Sequence, residues 1–211
     1  MKFPRHGLYV ITQSAARMRP DLPAAVEAAL KGGAKVVQYR DKTSTGKLSA
    51  AKQLLALCRA YQVPLLINDD VELALAVAAD GVHLGKEDGD ILAARRRLGE
   101  TAIIGVSCYN DVNKALAMQS RGADYVAFGR FFPSNSKPQA PPADIATLQT
   151  AKQILTIPIV AIGGILPENG EILLAAGADV LAVIGGVFDS ADPETAALAY
   201  QSLFAPTKGR D

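Results

Sequence analysis

The chain has 211 residues, of which 49% are apolar and 20% charged, the usage of a soluble globular protein of one domain or at most two small ones. Lys and Arg total 22 against 21 Asp and Glu, so a formal charge of +1 removes the broad basic field of a general nucleic-acid binder. Cys58 and Cys108 are far apart, with no Cys-x-x-Cys spacing and no neighbouring His pair, which excludes a disulfide framework and a zinc motif. The apolar run at 8–11 is too short for a signal peptide, and the uncharged stretch 153–167 falls short of the ~18–20 apolar residues of a membrane span. The expectation is a cytoplasmic protein that engages neither membrane nor nucleic acid. A chain of this size buries roughly 70% of its unfolded surface and needs no staple.

Short β-branched runs alternate with Ala/Leu-rich segments eight times. Run 8–12 precedes a helix opened by Pro20 and Asp21 and carrying Leu22, Val26, Ala29 and Leu30. Runs 35–39, 64–67, 81–84 and 102–106 are followed by helices predicted at 48–61, 71–78, 91–98 and 112–119. Runs 125–128, 158–162 and 180–184 lead to helices at 145–155, 168–176 and 193–203. Gly32-Gly33-Ala34, Gly122-Ala123-Asp124 and Gly177-Ala178-Asp179 place a left-handed glycine where a helix must stop and turn back. Strands joined through helices are parallel and buried on both faces. Eight units of about 26 residues predict a single (β/α)8 TIM barrel over 1–211, with its chemistry at the strand C-termini. An open doubly wound sheet fits less well, because no Gly-x-Gly-x-x-Gly follows the first strand.

The second strand ends Gln38-Tyr39-Arg40-Asp41-Lys42, and a period of two puts Gln38, Arg40 and Lys42 on one face and Tyr39 on the other. Two cations at one strand mouth suit an anionic ligand. Asn68-Asp69-Asp70 ends the third strand, and Gly85-Lys86-Glu87-Asp88 follows the fourth. Acids at adjacent mouths suit Mg2+ shared with a phosphorylated substrate. Helix capping accounts for Asp70 and could account for Asp88, but not for the adjacent pair 69–70. His83, inside the apolar fourth strand, reads first as a structural hydrogen-bonding residue.

Segment 129–142, with Ser134, Asn135, Ser136 and Lys137, reads as an active-site loop hinged near Gly129 and Pro138 that clamps an oxyanion. Gly163-Gly164 and Gly185-Gly186 after strands seven and eight let backbone N–H groups approach a phosphate. A cationic, metal-assisted site for a pyrophosphate and a neutral glycine-lined site for a monophosphate point to a transferase joining two phosphorylated small molecules.

The ordered motifs resemble the thiamine-phosphate synthase family over nearly the whole chain: Gln-x-Arg-x-Lys at 38–42, Asn-Asp-Asp at 68–70, His-x-Gly at 83–85 with Asp88, Gly-x-Ser at 105–107, Phe-Pro-Ser-x-Ser-Lys at 132–137 and Ala-Ile-Gly-Gly-Ile at 161–165. The resemblance implies a barrel enzyme that joins 4-amino-2-methyl-5-(diphosphooxymethyl)pyrimidine to hydroxyethylthiazole phosphate, with pyrophosphate leaving first in a dissociative step. It implies Gln38, Arg40, Lys42, Asn68 and Lys137 around the pyrimidine diphosphate, with Tyr39 and Asp41 on the same segment. Asp69 and Asp88 would bind Mg2+, and Ser107 would sit near the pyrimidine ring. Ser134, Asn135 and Ser136, Gly164, and the backbone at Ile184 and Gly185 would receive the thiazole phosphate. Arg40, Lys42, Lys137 and Ser107 take the catalytic roles in this reading.

The chain departs from the family pattern in Ser for Thr at 134 and 136, Lys86 for Gln, and Gly185 for Ser. A thiazole tautomerase-like isomerase is the rival enzyme, but the histidine it uses just after Gly-x-Ser is replaced by Cys108-Tyr109-Asn110. A non-catalytic thiamine-precursor binding protein is the rival from another class. Whether the chain forms a homo-oligomer is left open by the sequence.

Overall fold

The computed structural model describes residues 1–14, 17–18, 21–42, 46–85, 90–134 and 141–204. Eight parallel strands close into a barrel in sequence order, with the first pairing the last. They are β1 (Gly7–Ile11), β2 (Val36–Tyr39), β3 (Leu65–Asn68), β4 (Gly81–Leu84), β5 (Ile103–Tyr109), β6 (Tyr125–Phe128), β7 (Ile159–Ile162) and β8 (Val180–Val183). The helices are α1 (Leu22–Lys31), α2 (Lys47–Ala60), α3 (Val71–Val77), α4 (Ile91–Leu98), α5 (Val112–Ser120), α6 (Ile145–Ile154), α7 (Pro167–Ala175), α8 (Gly185–Phe188) and α9 (Pro193–Gln201). Among the described residues no helix is long and apolar enough to cross a membrane.

The period-two pattern splits the core in two. Tyr9, Ile11, Val36, Leu66, Ile103, Tyr125, Val160 and Val180 fill the barrel interior, while Leu8, Val10, Val37, Leu65, Ile67, Val82, Ile104 and Leu181 pack outward against the helices. Phe3 closes the interior from below, its ring stacked on Tyr125 with centroids 3.9 Å apart.

Helix starts follow their caps. Asp21, Asp70, Asp90, Asp111, Asp144 and Asp192 each accept from a backbone N–H two or three residues on, at the second or third position of the helix that follows. The α4 cap is thus Asp90 rather than Asp88, which lies outside the described residues. Helix stops follow the glycines: Ala34 N donates to Ala29 O, Ala123 N to Met118 O and Ala178 N to Leu173 O, each bond closing a turn through a positive-φ glycine.

Three features depart from the expected elements. The fifth strand runs on to Tyr109 through a bulge that inserts Cys108 against β6, since Ser107 pairs Ala127 and Tyr109 pairs Phe128. The eighth strand gives way directly to α8, whose four residues are too few for a hydrophobic period to register. The segment predicted as a helix over 193–203 divides into α9 and a 3₁₀ turn, Ser202–Phe204.

Candidate active site

A cavity of about 520 Å³ opens at the C-terminal mouth of the barrel. Its walls include Gln38, Arg40 and Lys42 from the end of β2, Asn68 and Asp69 from β3, and Ser107 from β5. Ser134, Gly164, Ile184 and Gly185 line it from the loops after β6, β7 and β8. With Ile11 from β1 and His83 from β4, residues from all eight strands meet in one space, as the periodicity requires of inward-facing positions.

Arg40 is placed by its own backbone. Its N–H donates to Thr12 Oγ1 at 2.9 Å, and that hydroxyl donates back to Arg40 O at 3.2 Å. Thr12 is fully buried at the end of β1, so the stitch fixes where the Arg40 side chain leaves the strand. The sequence gives Thr12 no special signal; only the β1–β2 register brings it to Arg40.

Asp69 has φ 63°, a left-handed conformation uncommon for any residue but glycine and best tolerated by Asn and Asp. Gly85 N donates to its Oδ1 at 3.1 Å and Asn68 Nδ2 to its Oδ2 at 2.5 Å. Both carboxylate oxygens are thus held by donors on the adjoining segments, at the wall of the cavity. Asp70 instead turns back to cap α3 by accepting from Leu73 N at 2.8 Å. The pair thus divides its work, one carboxylate to the helix and one to the cavity.

Tyr39 lies on the other face of β2 from Gln38 and Arg40. Its side chain points outward into the core beneath the helices and is 2% exposed. Burial, with the Asp41 carboxylate beside it, pushes the Tyr39 hydroxyl up to about 12. Asp41 lies in a shallower cleft that adjoins the cavity through Lys42, Asn68 and Asp69.

The glycines after β7 have two reasons to be glycine. Gly164 has φ 66°, and a Cβ there would stand 2.3 Å from Pro133 O. The loop after β6 lies directly on this turn: Phe131 N donates to Ile162 O at 3.3 Å and Phe132 N to Gly163 O at 2.9 Å. Gly129, one of the two expected hinge positions, donates its N–H to Tyr109 O at 2.9 Å. Asn135, Ser136, Lys137 and Pro138 fall outside the described residues, as does Asp88.

Several lining residues carry no sequence signal as site residues. Arg130 reaches the cavity from the loop after β6, and Asp189 from the end of α8, where Gln13 Nε2 donates to it at 2.6 Å. Inside the barrel Gln38 donates to Tyr9 Oη, Tyr9 Oη meets Tyr125 Oη at 2.9 Å, and Tyr125 Oη meets His83 Nδ1 at 2.9 Å. His83 Nε2 in turn lies 2.9 Å from Ser107 Oγ. The structural hydrogen-bonding role read for His83 is thus present, and it leads to the cavity wall. A polar group inside a barrel strand must find such partners, which is the one signal Tyr9 and Tyr125 offered in advance.

Among the described residues no three His, Cys, Asp or Glu side chains cluster as a metal site. Asp69 supplies a hard oxygen donor that fits Mg2+, an ion typically held by one or two carboxylates with substrate oxygens and water.

Fold and cavity together define a (β/α)8-barrel enzyme with its working groups at the strand C-termini. A family model described as thiamine monophosphate synthase matches residues 8–187. The thiamine-phosphate synthase of Nitrosococcus oceani is 51% identical over 200 residues, covering 94% of this chain and 92% of that protein. That of Marinobacter nauticus is 51% identical over 205 residues, covering 95% and 92%. The solved thiamine phosphate pyrophosphorylase of Pyrococcus furiosus superposes with a TM-score of 0.85 at 35% identity, over 94% of this chain and 95% of that one. The chain belongs to the thiamine-phosphate synthase family, transferases of thiamine biosynthesis.

Proposed function

We propose that the enzyme joins 4-amino-2-methyl-5-(diphosphooxymethyl)pyrimidine to hydroxyethylthiazole phosphate, giving thiamine phosphate and pyrophosphate. The observation that carries this reading is the convergence of Arg40, Lys42, Asn68 and Asp69 with Gly164 and Gly185 in one cavity large enough for both partners. The cationic end at β2 and β3 takes the diphosphate, and the glycine-lined end at β7 and β8 takes the monophosphate through backbone N–H groups.

The chemistry follows from what the walls offer. The methylene C–O bond breaks and its electron pair leaves with pyrophosphate. The pyrimidine stabilises the cation, and the thiazole nitrogen lone pair forms the new C–N bond. No proton moves in that step, so neither a nucleophile nor a general base is required of the protein. Arg40 and Lys42 stabilise the charge that builds on the leaving diphosphate, with Lys137 assigned the same role from the sequence. Asp69 and Asp88 would hold Mg2+. That ion supplies Lewis-acid stabilisation of the leaving diphosphate when bound. Gln38 and Ser107 orient the pyrimidine, and Ser134 and Ser136 the thiazole phosphate. The substrates are small and phosphorylated, so neither nucleic acid nor membrane enters this reading, and the cytoplasm is the compartment it takes.

The test is turnover of both substrates by metal-stripped protein with and without added Mg2+. Thiamine phosphate and pyrophosphate should appear in equal amounts and only with the metal restored. Full turnover in EDTA would remove Mg2+ from the reading, and no product under any condition would remove the reaction itself.

A further inference from the structure

The hydrogen bonds from Gln38 to Ser107 form one unbroken line across the barrel interior, and their donors can be counted. Gln38 Nε2 donates to Tyr9 Oη, so the one Tyr9 proton is left for Tyr125 Oη at 2.9 Å. The one Tyr125 proton then goes to His83 Nδ1, also at 2.9 Å. With Nδ1 accepting, a neutral His83 carries its proton on Nε2 and donates to Ser107 Oγ. The Ser107 proton is then the last in the line, and the cavity is what Ser107 faces.

From this we propose that Tyr9 and Tyr125 are positioning residues that act through His83 to fix Ser107 as a hydrogen-bond donor to a ring nitrogen of the pyrimidine substrate. The pyrimidine part rests on the proposed function; the direction of the line does not. An isolated serine hydroxyl turns freely between donating and accepting. Here the imidazole N–H occupies one of its lone pairs, which leaves the proton for the ligand. An aminopyrimidine offers acceptor ring nitrogens and a donor amino group, and a donating Ser107 selects the former.

The surroundings are built for such a line. Tyr9 and Tyr125 are almost wholly buried, and burial makes both hydroxyls much less acidic than an ordinary tyrosine, so each keeps its single proton to give. Gly105 makes room for the Tyr125 ring: a Cβ there would lie 1.9 Å from Tyr125 Cζ. Phe3 covers the opposite face of the barrel interior by stacking on Tyr125, which keeps water from competing for the phenols from below.

Two measurements on the full chain test the proposal. The sequence holds only His6 and His83, so nitrogen-15 NMR of histidine-labelled protein, with His6→Gln for assignment, reads the tautomer of His83 directly. The expected result is the Nε2–H form, and a dominant Nδ1–H form would overturn the proposal. This measurement needs neither turnover nor a variant inside the barrel. The second measurement is a kinetic cycle of Tyr125→Phe, Ser107→Ala and the double variant with the pyrimidine diphosphate varied. Each single change should lower kcat/KM about tenfold, the worth of one hydrogen bond, without changing the KM for thiazole phosphate. The double variant should be no worse than Ser107→Ala alone, because Tyr125 acts only through Ser107. Losses that multiply would show Tyr125 acting independently and defeat the proposal. If the unaltered enzyme does not turn over, the proposed function fails, while the tautomer still decides the direction of the line.

Discussion

Asp69 combines a left-handed backbone with a carboxylate whose two oxygens both accept hydrogen bonds, an arrangement that Asn can copy in shape but not in charge. Asp69→Asn should therefore leave stability within about 1 kcal/mol, because Asn tolerates the same φ. Turnover at saturating Mg2+ should fall about a hundredfold or more, because the hard anionic donor is lost. Denaturant midpoints and kcat, measured together, check both halves; retained turnover would remove Asp69 from the metal role. Arg40 allows an equally clean substitution, since Thr12 grips its backbone rather than its side chain. Arg40→Ala should leave the strand end in place and raise the KM for pyrimidine diphosphate by roughly tenfold or more, the loss of a charge-assisted pair. Calorimetric titration of thiazole phosphate should show no change. If that ligand weakens instead, the two ends of the cavity have been assigned the wrong way round.

At the scale of elements the barrel repeats one device on its N-terminal side. Asp80, Asp124 and Asp179 each precede a strand, accept from a backbone N–H at or beside the start of the strand before it, and pair with a cation on the helix before that. The partners are Leu65 N and Arg59, Ile104 N and Arg95, and Ile159 N and Lys152. Each carboxylate thus ties a helix to a strand end and satisfies a donor that no neighbouring strand reaches. The cost of losing it should follow burial. Asp80, 2% exposed in its side chain, should cost about 2–4 kcal/mol on replacement by Ala, and Asp124, 40% exposed, about 1–2 kcal/mol. Urea denaturation of the two variants checks the order, and equal losses would mean that burial does not set the cost. The strands themselves were legible because apolar runs and glycine stops recur eight times, and their ends fall within a few residues of the runs. The Asp device was not legible, since an acid at a helix-to-strand step looks like an ordinary solvated turn. Nor was the Tyr9–Tyr125 contact, which joins residues 116 apart in sequence and exists only once the barrel closes. The strand-end motifs, by contrast, came together because chain order and strand order are the same in this sheet.

Closure of the whole barrel leaves protonated groups in places that water does not reach, and this gives the molecule a pH dependence of definite sign. Burial is the main cause at both cysteines and pushes the Cys58 and Cys108 thiols from near 9.0 up to about 12. The Asp80 carboxylate raises Cys58 further, while Lys114 partly offsets the shift at Cys108. Tyr9, Tyr125 and Tyr200 are raised by burial in the same direction. These groups lose their protons in the unfolded chain at lower pH than in the folded one. Between about pH 9 and pH 12 the folded state therefore holds more protons, and stability falls as pH rises through that window. Below it the contribution is fully present, so nothing in these groups weakens the fold at neutral pH. The urea midpoint should be level from pH 7 to pH 8.5 and then decline steadily to pH 10.5. Thiol labelling reports the same physics without denaturant: at pH 8 both cysteines should resist iodoacetamide in the native protein and react fully once the chain is unfolded in urea. Rapid stoichiometric labelling of the native protein at pH 8, or a midpoint that does not move up to pH 10.5, would show that the barrel wall and its helical jacket do not seal these groups from solvent.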